Sequence, residues 1–227
     1  LLKIFDMNLR TFGKIAIGVG AFLILYSFTF KKKSKNKSVL FVGDSMTTTQ
    51  DKNGVEVDGS YNYPNLIRRM KISGLDVDTL AIAGKTTDWM KQELPNKIKS
   101  KKYDNVYIFG GTNDIFQGSE INKVVNNVQN MVDLALEQGA KPYVIVGYNT
   151  PETWEENLLN PTQWGLKSKE DILKVKQRYI NYQDALKSNI KNAGLIFINM
   201  GKGTTYDGVH PNLDGNKIIS ETIIKSF

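Results

Sequence analysis

Five short apolar runs divide this chain at intervals: "VLFVG" (39–43), "TLAIAG" (79–84), "NVYIFGG" (105–111), "PYVIVGY" (142–148) and "LIFINM" (195–200). Each is rich in Val, Ile, Tyr or Phe and continuous rather than alternating, the pattern of a strand buried on both faces. Helical patterns lie between them. Pro64 opens one that Gly74 closes, and Ile121 to Gln138 carries Val124, Val125, Val128, Val132 and Leu136 ahead of Gly139. Ser168 with Asp171 makes a capping-box start for a long helix reaching Asn192, and a last helix runs from about Leu213 to Ser226. Strand–helix alternation with right-handed crossovers predicts a three-layer α/β/α sandwich around one parallel sheet of about five strands. Ligands in such folds bind outside the carboxyl ends of the strands. Chemistry is therefore to be sought just after the runs.

The 227 residues divide into an N-terminal segment, 1–37, and a folded part, 38–227, of ordinary single-domain size. No cysteine is present, which excludes disulfides, thiolate chemistry and cysteine-ligated metals. The net charge of +7 suggests nucleic acid until its distribution is read. Residues 1–38 hold eight Lys/Arg (Lys3, Arg10, Lys14, Lys31, Lys32, Lys33, Lys35 and Lys37) against one acid, Asp6, which accounts for all of it. The rest carries 22 bases and 22 acids, so nucleic acid is not expected as a partner.

Within that basic segment, "IAIGVGAFLILYSFTF" (15–30) is uncharged over sixteen residues. As a helix from Phe12, with Lys14 snorkelling, it reaches about 28 Å, enough to span a hydrocarbon core of roughly 30 Å. "KKKSKNK", Lys31–Lys37, would then sit among lipid headgroups. A cleaved signal peptide, with "MNLRTFGK" from Met7 as its n-region, is the alternative. No small-x-small cleavage site follows the apolar run, and five lysines there are unusual, so a retained single-pass anchor over 12–30 is expected. Three Lys/Arg before the run and five after it point, taken literally, to a cytoplasmic folded part by the positive-inside rule, but so small a difference beside a long domain leaves the side of the membrane open.

Polar residues fall where the topology demands them. Ser45 follows the first run in "VGDSMTTTQ"; Gly84 ends the second in "AIAGKTT"; Asn113 follows the third in "GGTND"; Asp207 and His210 follow the fifth in "YDGVHPN". All would lie on one rim of the sheet. His210 is the only histidine in the chain, and hence the only candidate of the usual kind for a neutral-pH general base. A serine hydroxyl needs such a base, and the base needs a carboxylate on its other ring nitrogen, a part suited to Asp207. Pro211 biases His210 towards extended geometry. Ester attack also creates an oxyanion, for which the N–H groups of Ser45 and Gly84 and the amide of Asn113 are candidate donors. Glycine at 84 would keep a side chain out of the substrate's path. Taken singly, "GDS" reads as turn chemistry, "GGTND" as a turn and helix cap, and a lone histidine as an ordinary polar residue. Their occurrence together on one predicted rim points to a site.

"GDS", "GGTND" and "DGVH", in that order over residues 39 to about 215, resemble the motif blocks of the GDSL/SGNH hydrolase superfamily. The resemblance implies a flavodoxin-like α/β/α fold and acyl-ester hydrolysis with neither metal nor cofactor. It implies Ser45, His210 and Asp207 as a catalytic triad, with Ser45, Gly84 and Asn113 in the oxyanion hole. It also favours an extracytoplasmic catalytic domain, against the lysine count. Two departures stand out: Met46 replaces the family's leucine, and "AIAGKTT" is poorer in Asn and Ser than the usual glycine block.

Other motifs fail on spacing. "GKTT" (84–87) ends like a phosphate-binding loop, but the first glycine would fall at Thr79. "DKNGVEVDGSYN" (51–62) begins like a calcium loop, but Val55 and Glu56 occupy its fifth and sixth positions. Two long loops flank the expected site, Met46–Asn62 and Tyr148–Lys167, the latter with Pro151, Trp154, Pro161 and Trp164. The tryptophans suit a sugar face, an acyl chain or simple anchoring of the loop. No extended apolar loop marks a lipid-sized pocket. The expected substrate is thus a short acyl ester, acetyl on a carbohydrate or envelope glycan. A lysophospholipase or thioesterase acting on lipid, an acyltransferase with the same triad, and a tethered binding module with a vestigial site are the alternatives.

Overall fold

The computed structural model describes residues 36–48, 61–148, 165–201 and 203–227. The predicted anchor and most of the two long loops, with both loop tryptophans, lie outside the described residues. Among the described residues no helix is long and apolar enough to cross a membrane.

In chain order the elements are β1 (Lys37–Gly43), α1 (Tyr63–Arg69), β2 (Leu75–Ala81), α2 (Thr87–Ser100), β3 (Asn105–Phe109), α3 (Thr112–Phe116), α4 (Ile121–Glu137), β4 (Lys141–Tyr148), α5 (Lys169–Asn189), β5 (Gly194–Ile198) and α6 (Leu213–Ile224). All strand pairs are parallel, and the order is β2-β1-β3-β4-β5. That is the doubly wound order whose topological switch point lies between β1 and β3. Alternate residues of each central strand enter opposite cores. Leu40, Val42, Val106, Ile108, Val144 and Val146 meet α2, α4 and α5, whereas Val39, Phe41, Tyr107, Phe109, Tyr143 and Ile145 meet α1 and α6. The three-layer architecture expected from the apolar runs is present.

The second run is displaced from its strand. β2 is Leu75–Ala81, not 79–84, because its register is set by pairing Lys37 with Leu75 through Gly43 with Ala81. As an edge strand it is only half-buried, and "LDVDTLA" alternates where a central strand would not. Its outward acids are used: Lys101 Nζ lies 2.7 Å from Asp76 and 3.2 Å from Asp78, and Tyr103 donates to Asp78 at 2.8 Å. Ile82–Gly84 therefore form a turn beyond the strand.

Two helices go beyond the sequence expectation. α2 carries Pro95 in its interior, which reads as a breaker, yet Met90, Leu94 and Ile98 form a buried stripe at four-residue spacing that holds the helix through it. α3 is too short for a periodic signal. In α4 the buried face ends on Ala135, and Leu136 is 39% exposed rather than part of the stripe. At the start of α5, Ser168 Oγ accepts the Asp171 N–H at 3.1 Å as expected, but Asp171 reaches back to the Lys167 N–H at 3.0 Å. The helix stops at Asn189, with Ile190 extended, rather than at Asn192.

Gly43 closes β1 where the chain turns towards Ser45. A Cβ there would fall 2.7 Å from the Phe109 carbonyl oxygen and into the Thr47 side chain. Backbone cannot yield as a side chain can. Gly43→Ala is expected to cost about 2–3 kcal/mol in urea unfolding, because the segment that bears Ser45 must be displaced to admit the methyl group.

Candidate active site

The turn after β1 is built around Asp44. This side chain is fully buried, and its Oδ1 accepts the Met46 N–H at 3.0 Å. Its carbonyl accepts the N–H groups of Thr47 at 3.0 Å and Thr48 at 2.9 Å. Asp44 thus gathers the amides on the C-terminal side of Ser45 as a helix N-cap does. Ser45 Oγ is directed at His210 Nε2, 2.9 Å away.

The segment bearing His210 is a small hairpin. Thr205 bridges Pro211 in antiparallel fashion, and the Tyr206 N–H donates to the His210 carbonyl at 3.0 Å. Asp207 sits at its bend. Oδ1 of Asp207 accepts the backbone N–H groups of Val209 at 2.9 Å and His210 at 2.7 Å, and Oδ2 lies 2.6 Å from His210 Nδ1. A carboxylate is only an acceptor, so Nδ1 carries the ring proton and Nε2 is left to accept from Ser45 Oγ. Burial alone would raise the Asp207 pKa, but the His210 ring bond and charge, with the two backbone donors, hold it below the usual carboxylate value. The half-exposed Tyr206 ring lies over the imidazole, 11° from parallel with centroids 5.5 Å apart.

Asn113 stands in the first turn of α3, introduced by Gly111 at φ 99°. A Cβ on Gly111 would fall against the Tyr182 ring, so glycine is required twice over. The Asn113 amide donates through Nδ2 to the Lys85 carbonyl at 3.0 Å and to Asp44 Oδ2 at 3.3 Å. The Gly84–Lys85 turn, closed by a Lys85 N–H to Ile82 carbonyl bond at 3.3 Å, is thereby tied to Asn113, and Asn113 to the turn of Ser45. Gly84 has φ +77°, and a Cβ on it would meet open space. Its backbone conformation, rather than crowding, is the structural reason for glycine at 84.

The structure therefore brings together all five residues singled out in the sequence. It also gives a part to two acids inside the motifs, Asp44 of "GDS" and Asp114 of "GGTND", that the sequence does not single out. Asp114, nearly buried, accepts both the N–H of Thr87 at 2.9 Å and its hydroxyl at 2.8 Å, capping α2 from a neighbouring element. Burial pushes the Asp114 pKa up against those two bonds. Asp44 is pushed further, to about 6, mainly by burial; the Met46 N–H and the His210 charge oppose the rise and Asp114 adds to it. Asp44 is marked in the sequence only as the acid of "GDS", between a buried strand and the candidate nucleophile. Among the described residues no three His, Asp or Glu side chains gather as a metal site would require.

The chain matches the GDSL-like lipase/acylhydrolase family over residues 41–218. It belongs to that family. It is accordingly a carboxylic-ester hydrolase of the GDSL type. No curated protein sequence matches it. Solved structures do, at low identity. The acetylxylan esterase Axe2 of Geobacillus stearothermophilus, in a catalytic mutant, is 14% identical with a TM-score of 0.62, over 84% of this chain and 94% of that one. The psychrotrophic esterase EstA of a Pseudoalteromonas species is 16% identical with a TM-score of 0.56, over 84% and 96%. A GDSL-like lipase of Bacteroides thetaiotaomicron is 20% identical with a TM-score of 0.56, over 84% and 87%. At such identities the likeness is one of fold.

Because the folded Asp44 pKa of about 6 lies above the unfolded value of 3.8, the native state holds this proton more tightly. Its contribution to stability is complete below pH 3.8, declines as pH rises through 6, and amounts above that to a loss of about 3 kcal/mol. Asp44→Asn is expected to abolish this portion of the pH dependence. Urea titrations of both proteins between pH 4 and 8 check it.

Proposed function

We propose that this GDSL-family protein is a serine esterase in which Ser45, His210 and Asp207 form the catalytic triad and Ser45, Gly84 and Asn113 the oxyanion hole. The observation that carries the reading is the unbroken line from Ser45 Oγ through the imidazole to Asp207, at 2.9 and 2.6 Å. Ser45 Oγ attacks the ester carbonyl carbon while its proton passes to His210 Nε2. Asp207 keeps the ring oriented and steadies the imidazolium. The carbonyl oxygen becomes an oxyanion within reach of the Ser45 and Gly84 N–H groups and the Asn113 amide. His210 then returns the proton to the departing alkoxide, leaving an acyl-serine. Water, deprotonated by the same imidazole, releases the acid and restores the hydroxyl.

The preferred substrate is a short acyl ester, acetyl on a glycan. Two features support it. Tyr206 offers an exposed, flat ring beside the imidazole, a surface on which a sugar ring can lie. A relative in fold, Axe2, is an acetylxylan esterase. Residues 12–30 are read as a membrane anchor, so the full-length chain is expected in the membrane fraction, resistant to high salt and released by detergent. A chain found wholly in the soluble fraction overturns the anchor.

The decisive assay compares nitrophenyl esters from acetyl to palmitoyl with acetylated glycans, using the fragment from Ser38. Acetyl esters and acetylated glycans are expected to turn over fastest. A long-chain optimum points to lipid, and transfer to a sugar exceeding hydrolysis points to an acyltransferase. Ser45→Ala and His210→Ala are each expected to lower kcat by roughly 10⁴-fold or more, and Asp207→Asn by about 10³–10⁴-fold. Wild-type turnover in any of the three defeats the triad.

A further inference from the structure

Asp44 is a buried carboxylate that the proposed mechanism leaves without a task. It has no exposed surface, and water cannot solvate its charge. Its side chain bonds in two directions: Oδ1 accepts the Met46 N–H at 3.0 Å and Oδ2 the Asn113 amide at 3.3 Å. One end of the carboxylate thus holds the turn carrying Ser45, and the other holds the side chain of Asn113. An Asn amide can swing about its terminal torsion, and a hole whose donor swings must be reorganised at each turnover.

We propose that Asp44 is a positioning residue that clamps the Asn113 amide against the Ser45 turn, so that this donor is already oriented when the oxyanion forms. The inference rests on the assignment of Asn113 to the oxyanion hole. Asn113 Nδ2 has two hydrogens. The Lys85 carbonyl takes one at 3.0 Å, and the longer contact to Asp44 is the one a substrate oxygen can share. Asp44 aligns that second hydrogen without gripping it. The clamp uses both oxygens as acceptors, which the ionised acid supplies together, whereas protonation turns one of them into a donor. The titratable groups that face Asp44 are His210, Asp114, Tyr63, Tyr179 and Tyr182. At neutral pH, burial keeps the three phenols in their uncharged form.

Asp44→Asn separates the two bonds. The amide oxygen can still accept from Met46, but its NH2 would meet the Asn113 NH2, donor against donor. The test is a cycle of Asp44→Asn, Asn113→Ala and the double variant on nitrophenyl acetate, with active sites counted by a fluorophosphonate. Asn113→Ala alone is expected to lower kcat by about 10²-fold. Asp44→Asn is expected to lower kcat about tenfold at unchanged KM in the wild type, and by less than about twofold once Asn113 is gone.

If Asn113→Ala turns over like wild type, the oxyanion assignment fails and the clamp with it. If Asn113→Ala is slow but Asp44→Asn costs the same in both backgrounds, the assignment stands and the clamp alone is overturned, since Asp44 would then act through His210 or the fold. A second measurement leaves Asp44 unchanged. In His210→Ala, where no imidazole titrates, the Asn113 side-chain NH2 resonances should move with pH at the same midpoint as the Asp44 carboxyl carbon. Resonances that stay fixed while Asp44 titrates overturn the proposal.

Discussion

Burial of the sheet on both faces is the constraint from which the rest follows. Val39, Leu40, Phe41 and Val42 of β1 have no exposed surface, and Val106, Tyr107 and Ile108 of β3 match them. A polar side chain anywhere along these segments would need a partner within the sheet's own core. The strand ends escape this. There the chain must turn, its N–H groups lose their ladder partners, and side chains or carbonyls have to replace them. Asp44 and Asn113 both stand just beyond such ends, on adjacent strands either side of the switch point; Asp44 closes the turn it occupies, and Asn113 ties that turn to the one after β2. The site is made from groups that the fold already requires at the rim.

Contact between Ser45 and His210 joins positions 165 residues apart, whereas Asp207 and His210 are three apart. The second pairing is a property of one hairpin. The first depends on how that hairpin is fastened. Asn216, in the first turn of α6, donates to the Pro211 carbonyl at 3.0 Å and accepts the Tyr63 N–H at 3.0 Å. Tyr63 in turn meets the Thr47 hydroxyl at 3.0 Å through its own. A run of buried polar contacts therefore leads from the histidine hairpin through α1 back to the serine turn. Each bond adds only about 1 kcal/mol, but leaving any member unpaired costs more, so the set holds one geometry.

What is legible in the sequence follows from the same physics. Continuous apolar runs report two-sided burial, so β1, β3, β4 and β5 can be read from them and the sheet with them. β2 is legible only in its last residues, because "LDVDTLA" alternates acids with apolar residues and is half-buried. β5, the opposite edge, keeps an apolar run even with Phe197 exposed. The β2 register comes from backbone pairing to β1, which leaves no mark on its side chains. α2 is not singled out from the sequence, since its buried stripe holds only three apolar residues and Pro95 falls within it. At the site, Ser45, Asn113, Asp207 and His210 are legible because each is a chemically unusual residue just beyond a run. Gly84 is legible as a position but not for its cause, since positive φ cannot be seen in a one-letter code. Asp44, though part of "GDS", and Tyr206 carry no mark of their roles. An acid in a turn and a tyrosine beside a histidine are common, and only the folded neighbourhood distinguishes them.

That neighbourhood sets two carboxylates of identical chemistry against one imidazole and treats them differently. Asp207 keeps 14% of its side-chain surface exposed and faces two backbone N–H groups as well as the ring. Every one of those contacts favours the charged form, and its pKa stays low. Asp44 has no exposed surface, and burial outweighs its donors, so its pKa rises to about 6. Environments that push two acids apart are what allow one of them to serve as a permanent charge. Under the proposed mechanism that permanent charge is Asp207, directly on the ring. Asp44 bonds instead through its oxygens to the Met46 N–H and the Asn113 amide, and burial makes its charge the easier of the two to lose on acidification. It can still hold an amide in place above that pH. The division of labour is fixed by hydration rather than by residue type.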